Sequence, residues 1–578
     1  MKSDKKFTMR FLPSLLALIG MLVVACGGGG GTSNVTPTAA AAKAPAAQQV
    51  LSLPLPVSDI ATFDPGQTSD QPSAEALTTV FTGMVQLNDK LELAPQMATT
   101  WTSSSDGLTW TFTLKPGLKF SDGSPLTSTD VVYSIDRALS PQISALNGVS
   151  LTYLGLIKDS DKRVAGKVPS LINDSLMTPD ANTVVIKLTK ATAYFLQALT
   201  YPTSYVVEKK VIDQWGLKWT DHLADNGGQG GSGPFMVSSY DHTKGIDLVP
   251  NPNYYGPKPQ LTKLSFLFYK STTTQYQAYQ AGQLDETAIP SANYTQASQG
   301  KDFVKNPELT IFYYTMNYLI KPFDNIHIRQ AFELALNKDV LVQAIYKGRH
   351  IPTCHFVPAG MPGYNSSLQC PGGAPTAGDP TKAKALFNQG LQEEGMTLAT
   401  LPSIKLTYPN GNPDTDNEIT TARQMWQQVL GVNVTPDPID FNQLLTETTN
   451  TTNNPKGLMF WRLGWLADYP DPQDWLTLQF DKGAPNNNYN YGQNSSANAA
   501  QQQQVQQLLE QADVTADQAK RLQMYNQAEQ QLVNDVAWLP LYQRNAARLL
   551  KTYVIGRVYN AFDLTPPDDW TNVYIAVH

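Results

Sequence analysis

Residues 105–132 read SDGLTWTFTLKPGLKFSDGSPLTSTDVV, and each part of this stretch predicts a definite local structure. Polar and apolar residues alternate over Thr109–Leu114, which predicts a β-strand. Residues 122 and 123, Asp-Gly, predict a tight turn, because glycine tolerates the backbone angles that such turns require. Residues 127–130, TSTD, predict the capped start of a helix.

Shorter blocks with similarly distinctive residues lie on both sides of this stretch. They are residues 62–65 (TFDP), 93–101 (LAPQMATTW), 233–235 (GPF), 251–255 (NPNYY), Asn317 with 322–324 (PFD), 328–331 (IRQA) and 379–383 (DPTKA). Together with residues 105–132, these blocks resemble the extracellular solute-binding proteins of the peptide/nickel class, family 5. That family contains the oligopeptide- and dipeptide-binding lipoproteins of ABC transporters, and the resemblance covers nearly all of the chain that follows the N-terminal segment.

The resemblance implies an α/β fold of the two-lobed, periplasmic-binding-protein-like kind, in the class with an extra domain. Two crossing strands should join the lobes, and the apolar residues 309–317 and 538–542 are the expected pair. The expected organisation is a signal peptide (1–25), a flexible tether (26–49), lobe I (50–75, 196–315 and 546–578), an extra domain packed on lobe I (76–195) and lobe II (316–545).

The N-terminus predicts export and lipid attachment. A basic segment with Lys2, Lys5, Lys6 and Arg10 precedes the apolar residues 11–24, and small residues lead into Cys26, as in a lipoprotein signal peptide. Acylated Cys26 would hold the protein at the outer face of a bacterial cytoplasmic membrane, periplasmic or at the cell surface. A plain secretory signal, with an incidental cysteine, is the alternative. Residues 27–49 contain few large apolar side chains, which predicts the tether.

Composition limits the partners. The 578 residues carry a formal net charge of −7, and removal of the signal peptide would make the chain more acidic, which argues against nucleic acid as a partner. A chain of this length is too long for a single core, so several domains are expected. The resemblance implies a monomer that contacts a small-molecule or peptide ligand, the permease subunits of an ABC transporter and, through its lipid, the membrane.

Besides Cys26, the cysteines are Cys354 and Cys370, which bracket a loop rich in proline and glycine. Outside the cytoplasm, this pair predicts a disulfide. A metal site is the less favoured alternative, because the spacing of His350 and His355 matches no standard ligand pattern.

Catalytic motifs give little support for an enzyme. The chain contains no HExxH, no GxSxG and no P-loop with its terminal lysine. The glycine-rich residues 227–234 lead into a predicted strand at Phe235, so a turn is favoured over a phosphate-binding loop. Many carboxylates remain unassigned, and a glycosidase pair therefore stays open. No cofactor is expected.

Residues 462–472, RLGWLADYPDP, are the candidate ligand-binding segment. The resemblance implies that Asp468 pairs with the α-ammonium group of a peptide and that Arg462 contacts its carboxylate. Trp465 would offer a flat apolar wall. The alternatives are that Asp468 only caps a turn, that Arg462 pairs with an internal acid and that Trp465 belongs to the core.

Three further candidates, Tyr314, Asn317 and Tyr542, lie on the expected crossing strands. Because alternate strand residues point in opposite directions, only some of them can face a cleft between the lobes.

Three local predictions concern helices. Asp379 should cap a helix that begins at Pro380. Apolar residues between positions 331 and 341 predict the buried face of one helix. Thr515 and Gln518 predict a capping box.

The favoured function is a lipid-anchored, extracytoplasmic substrate-binding protein of an ABC importer, which captures di- or oligopeptides in a closing interlobe cleft and delivers them to the permease. The first alternative keeps the fold but binds an oligosaccharide or a nickel complex. The second is a surface-attached hydrolase.

Overall fold

The computed structural model describes residues 42–68, 70–146, 149–484 and 486–578. The predicted signal peptide, the lipidation site Cys26 and most of the predicted tether lie outside the described residues. Residues 42–49, the end of that tether, pack against the C-terminal segment. The Ala44 amide donates to the Ile575 carbonyl at 2.9 Å, and the Gln49 side chain donates to the same carbonyl at 2.8 Å. Residues 42–49 therefore belong to the folded body.

The described residues contain nineteen β-strands and seventeen α-helices. The strands are β1 (Val50–Leu55), β2 (Val85–Leu87), β3 (Leu93–Pro95), β4 (Ala98–Ser103), β5 (Thr109–Leu114), β6 (Leu176–Asp180), β7 (Thr183–Lys187), β8 (Phe235–Asp241), β9 (Gly245–Pro250), β10 (Lys263–Phe268), β11 (Glu286–Ala288), β12 (Phe303–Met316), β13 (Ile351–Pro352), β14 (Ile404–Pro409), β15 (Val434–Ile439), β16 (Phe460–Leu466), β17 (Leu539–Leu550), β18 (Val554–Ile555) and β19 (Tyr574–Ile575).

The helices are α1 (Gln71–Val80), α2 (Ser128–Ala138), α3 (Pro141–Ser144), α4 (Ser150–Leu154), α5 (Ser160–Val164), α6 (Phe195–Ala198), α7 (Lys209–Trp215), α8 (Thr272–Gln280), α9 (Tyr294–Ala297), α10 (Ile326–Leu334), α11 (Lys338–Tyr346), α12 (Pro380–Glu393), α13 (Pro413–Leu430), α14 (Phe441–Thr449), α15 (Thr477–Phe480), α16 (Ala499–Val514) and α17 (Gln518–Asn534).

Three large sheets organise these elements. The first has the order β1-β10-β9-β8, with β1 parallel to β10 and the other pairs antiparallel. The second is antiparallel, with the order β4-β5-β7-β6. The third has seven strands in the order β11-β17-β12-β16-β14-β15, with β13 beside β17. The third sheet carries the candidate ligand-binding segment on β16.

The two predicted crossing strands are adjacent in the seven-stranded sheet. They are β12 and β17, which pair antiparallel from Phe303 opposite Leu549 to Tyr314 opposite Leu539. Both strands are longer than the sequence predicted. The pairing shows that the two predicted strands are neighbours in one sheet.

The seven-stranded sheet has a buried apolar core on each face. Leu309, Ile311 and Tyr313 of β12 belong to one cluster, whereas Tyr314 and Met316 belong to another. This division follows from the alternation of side chains along a strand. The first and second sheets have cores of their own, and the core of the first combines residues from three distant parts of the chain. The predicted domain boundaries stay a prediction.

The local predictions for residues 105–132 are confirmed. Strand β5 spans Thr109–Leu114, and helix α2 begins at Ser128. The Asp130 carboxylate accepts the Thr127 amide at 2.8 Å, which completes the capping box. Helix α12 likewise begins at Pro380, and the Asp379 side chain accepts a backbone amide of its first turn.

Two helix predictions are wrong in detail. The apolar residues between positions 331 and 341 belong to two helices, because α10 ends at Leu334 and Asn337 caps the new helix α11. The cap of α17 is Asp517, whose side chain accepts the Lys520 amide at 2.9 Å. Thr515 instead follows the end of α16, and its hydroxyl donates to the Gln511 carbonyl.

Cys354 and Cys370 form a disulfide with their Cα atoms 5.5 Å apart. Within the described ranges, no group of three or more histidine, cysteine, aspartate or glutamate side chains could hold a metal ion. None of the described helices is both long enough and apolar enough to cross a membrane.

Candidate ligand-binding site

Two cavities border strand β16. The first, which we name the apolar cavity, has a volume of about 540 Å³, and its lining includes Gly464 and Trp465. Asp468, two residues beyond the strand, lines the same cavity. The second, which we name the basic cavity, has a volume of about 700 Å³ and includes Arg462 in its lining. One short segment therefore contributes to both cavities.

The apolar cavity is lined mainly by aromatic and aliphatic side chains. These include Leu87, Val149, Tyr153, Tyr201, Tyr205, Phe441, Leu445, Trp465, Phe562 and Leu564. Its charged lining residues are Asp70 and Asp468, and no lysine, arginine or histidine of the described chain lines it. A molecule in this cavity would contact carbon surface and negative charge.

Asp468 has one side-chain partner in this cavity, the hydroxyl of Tyr153, which donates a hydrogen bond to the carboxylate. No salt bridge joins Asp468 to a basic side chain in the region that the structure describes. Burial raises the pKa of Asp468 to about 7, while the hydrogen bond from Tyr153 favours the ionised form. The Tyr153 ring stacks on Tyr201 with 3.6 Å between the ring centroids. A positively charged group could pair with this carboxylate.

The loop that carries Asp468 is held by two other aspartates. Asp474 accepts hydrogen bonds from the Trp465 indole and from the Asp468 amide, each at 3.1 Å. Asp471 caps the short 3-10 helix Pro472–Asp474 and pairs with the Arg521 guanidinium at 2.5 Å. The turn-capping role that the sequence left open for Asp468 thus falls to Asp471, and the Asp468 carboxylate faces the cavity.

Arg462 has an internal acid as its partner. Its Nε and Nη2 atoms donate to the two oxygens of Glu418 at 2.7 and 3.2 Å, and Nη2 also donates to the Tyr542 hydroxyl at 3.0 Å. Tyr314 and Tyr346 donate to the same carboxylate. Most of the guanidinium donors are therefore used within the protein.

Other basic side chains line the basic cavity. Its lining includes Lys270, Arg349, Arg544 and His350. Arg544 pairs with Glu308 at 3.2 Å, whereas no salt bridge of Lys270 or Arg349 is found within the described ranges. Burial, followed by the charges of Arg349 and Arg544, lowers the pKa of His350 to about 2, so this histidine is neutral. Asp414 also lines this cavity, but basic side chains outnumber it, so the cavity offers net positive charge to an anionic group.

The family model of the bacterial extracellular solute-binding proteins, family 5 (middle region), matches residues 92–487. This chain belongs to that family.

Relatives of this family-5 protein match it over most of their length. The oligopeptide-binding protein OppA of Bacillus subtilis (strain 168) is 28% identical over 83% of this chain and 84% of that protein. The dipeptide-binding protein DppE of the same organism is 26% identical over 86% and 87%. Both relatives are named for the binding of peptides.

A solved structure establishes the fold. The murein tripeptide-binding protein MppA of Escherichia coli aligns with a TM-score of 0.73 at 23% identity, over 92% of this chain and 99% of that one. The family-5 protein therefore has the two-lobed periplasmic-binding-protein fold that the sequence predicted.

The structure brings together only part of the predicted site. Asp468 and the half-buried Trp465 line the apolar cavity, and Trp465 also packs against the core. Arg462 and Tyr542 line the basic cavity. Tyr314 and Asn317 are fully buried and line neither cavity.

The buried side chain of Asn317 is fully engaged by its neighbours. Its amide donates to the Asn454 carbonyl at 3.0 Å and its oxygen accepts from Asn490 at 2.9 Å. Tyr314 packs in the core beside Trp426 and donates to Glu418. Both side chains are thus engaged inside the protein and line neither cavity. For Tyr314 the sequence could not show this, because β12 is buried on both faces and has no polar side to mark its orientation.

Sequence reasoning missed several residues of the cavity wall. Tyr153 and Tyr201 carried no signal, because Tyr153 lies in the predicted extra domain and Tyr201 in predicted lobe I, both far along the chain from Asp468. Phe441 and Leu445 could have been found, since two large apolar residues four positions apart mark one face of a helix.

Proposed function

We propose that this family-5 protein is the lipid-anchored substrate-binding component of an ABC importer that captures di- and oligopeptides and delivers them to the permease. The Asp468 carboxylate carries the proposal, because it lines an apolar cavity and has no cationic partner among the described residues. A buried charge without a partner is costly, and the α-ammonium group of a peptide would supply the partner.

The wall of the cavity suits peptides of varied sequence. Aromatic side chains provide apolar surface without a demand for one hydrogen-bonding pattern. Gly464 is required by packing inside the sheet, since a Cβ atom at this position would lie 2.7 Å from the ring of Phe312 on the neighbouring strand. Beyond this packing, a peptide in the cavity would border the backbone of β16, and main-chain hydrogen bonds to it would give affinity without side-chain specificity.

The carboxylate end of a peptide would point towards the basic cavity. Arg462 is engaged by Glu418, so Lys270 and Arg349 are better candidates than Arg462 to contact that carboxylate. Closure of the two lobes would remove water from both charged ends and strengthen their pairing.

The proposal includes several features that the sequence suggested. The protein would be anchored through acylated Cys26 at the outer face of a bacterial membrane, would act as a monomer and would catalyse no reaction. It would need no metal and no cofactor.

Isothermal titration calorimetry tests the proposal directly. Ligand-free protein, prepared by unfolding and refolding, is titrated with a tetrapeptide of alanine and with its N-acetylated form, which lacks the ammonium group. We expect Asp468→Asn and N-acetylation each to weaken binding at least about thirtyfold, because each leaves one charge unpaired. The two losses should not add, because they remove the same interaction.

The control variant is Asp89→Asn, which changes an exposed carboxylate outside both cavities. Equal binding of the acetylated and free peptides to the unmodified protein would contradict the ammonium site. Binding of maltooligosaccharide or of a nickel chelate, unaffected by Asp468→Asn, would favour the first alternative function. Peptide or glycoside turnover that one carboxylate substitution abolishes would favour a hydrolase.

A further inference from the structure

Helix α14 exposes two large apolar side chains on one face. Phe441 is 51% exposed and Leu445 is 41% exposed. They lie four residues apart and therefore occupy the same side of the helix. Leu444, one position before Leu445, is fully buried in a core, so the helix packs against the protein through the face next to the exposed pair.

The exposed pair belongs to the wall of the apolar cavity. Phe441 and Leu445 both line it, together with Val149 at the start of α4 and with Trp465 and Asp468. Single exposed apolar residues are common on protein surfaces and need no explanation. Here, however, two neighbouring side chains border the same cavity as a carboxylate without a cationic partner, and a ligand in that cavity would displace water from them.

We propose that Phe441 and Leu445 form a subsite that selects peptides with a bulky apolar side chain near the N-terminus. This inference rests on the proposed function, because the ammonium group at Asp468 places the first residues of the ligand in the apolar cavity. An acidic side chain is disfavoured there, since Asp70 and Asp468 are the charged residues of the lining. An apolar side chain, in contrast, is stabilised by burial against the aromatic rings and the aliphatic groups of the cavity wall.

Calorimetry with a matched peptide series tests the subsite. The series contains a tetrapeptide of alanine, three versions with one leucine at the first, second or third position, and three versions with one lysine at those positions. We expect one leucine peptide to bind the unmodified protein at least about tenfold more tightly than the alanine peptide, because a leucine side chain buries several more carbon atoms.

The variant that probes the subsite is Phe441→Ser/Leu445→Ser. We expect its preference for leucine to fall below about threefold, and the readout is this ratio of affinities for the leucine and alanine peptides within one protein. Both side chains are close to half exposed, so the fold should tolerate the change, and circular dichroism checks that it does. Leu398→Ser is the control, because Leu398 is 53% exposed and lines neither cavity.

Several outcomes would overturn the subsite. They are an absence of leucine preference in the unmodified protein, a preference for lysine over leucine, and a leucine preference that persists in the double variant. If peptides bind and Asp468→Asn weakens them all, these outcomes overturn only the subsite, and the proposed function stands. If no peptide of the series binds the unmodified protein, both fall.

Discussion

Asp468 and Arg462 lie six residues apart on one segment, yet only Arg462 has a charged partner. The guanidinium of Arg462 is buried, with 4% of the residue exposed, and Glu418 neutralises it with two hydrogen bonds. The carboxylate of Asp468 borders a cavity and accepts a hydrogen bond from a neutral tyrosine. This difference suggests opposite roles, with Arg462 stabilising the fold and Asp468 contacting a ligand.

The binding of peptide should depend on pH through Asp468. Its pKa is raised to about 7 by burial, so below about pH 7 the empty site holds a neutral acid that cannot pair with an ammonium group. Affinity should therefore rise up to about tenfold per unit between about pH 5 and about pH 7. It should fall again above about pH 8, where the α-amino group of the peptide loses its proton.

Calorimetry across this pH range provides the measurement. The Asp468→Asn variant is the control, since it lacks the titrating group and should show no rise between about pH 5 and about pH 7. An affinity of the unmodified protein that stays constant over the same interval would argue against a carboxylate–ammonium pair.

Glu418→Gln should destabilise the protein. The substitution leaves the Arg462 guanidinium buried without its countercharge, and breaking a buried pair in this way costs about 3–5 kcal/mol of unfolding free energy. Urea denaturation measures the change. Asp213→Asn is the matched control, because its salt bridge with Lys209 lies on an exposed helix face and its loss should cost below about 1 kcal/mol. Equal stability of Glu418→Gln and the unmodified protein would mean that the Arg462–Glu418 pair does not stabilise the fold.

At the level of elements, the start of α17 shows how close two competing caps can lie. Thr515 and Gln518 have capping-box spacing, but Asp517 also precedes an apolar helical pattern. An aspartate is at least as good an N-cap as a threonine. Thr515 is already the C-cap residue of α16, whereas Asp517 is the N-cap residue of α17. The choice depends on where the preceding helix ends, which the local pattern does not reveal.

Asp517→Ala should lower the free energy of unfolding by about 1 kcal/mol, because it removes the side chain that accepts the Lys520 amide. Thr515→Ala should change it by at most about 0.5 kcal/mol. Chemical denaturation of the two variants side by side measures both. A larger loss for Thr515→Ala would reinstate the capping box that the sequence predicted.

The crossing strands show what an apolar run can and cannot predict. The existence and pairing of β12 and β17 follow from two long apolar segments that the resemblance places together. The direction in which the Tyr314 side chain points does not follow from these segments. A strand buried on both faces has no polar side to mark its orientation.

Over the whole molecule, the apolar cavity joins distant parts of the chain. Its lining includes residues near positions 70–87, 149–153, 200–205, 441–468 and 560–567. A ligand in this cavity would hold these parts together, and unfolding of any of them would release it. Binding should therefore stabilise the fold as a unit.

We expect a bound alanine tetrapeptide to raise the free energy of unfolding by about 2.7 kcal/mol when its free concentration is a hundred times the Kd. Urea denaturation with and without peptide measures the increase. The N-acetylated peptide at the same concentration should give a much smaller one. Equal stabilisation by both peptides would place the bound peptide away from Asp468.

The sequence alone was sufficient for features that depend on near neighbours. Strand β5, the capped start of α2 and the cap of α12 each depend on a few consecutive residues, whose backbone preferences are local. The family resemblance added the two-lobed fold and pointed to Asp468. Tertiary structure decided the rest: that Glu418 pairs with Arg462, that Asp471 caps the turn, and that Tyr153 and Phe441 face the cavity of Asp468. These contacts join segments far apart in the chain, and their geometry follows from the packing of whole elements, which no local pattern contains.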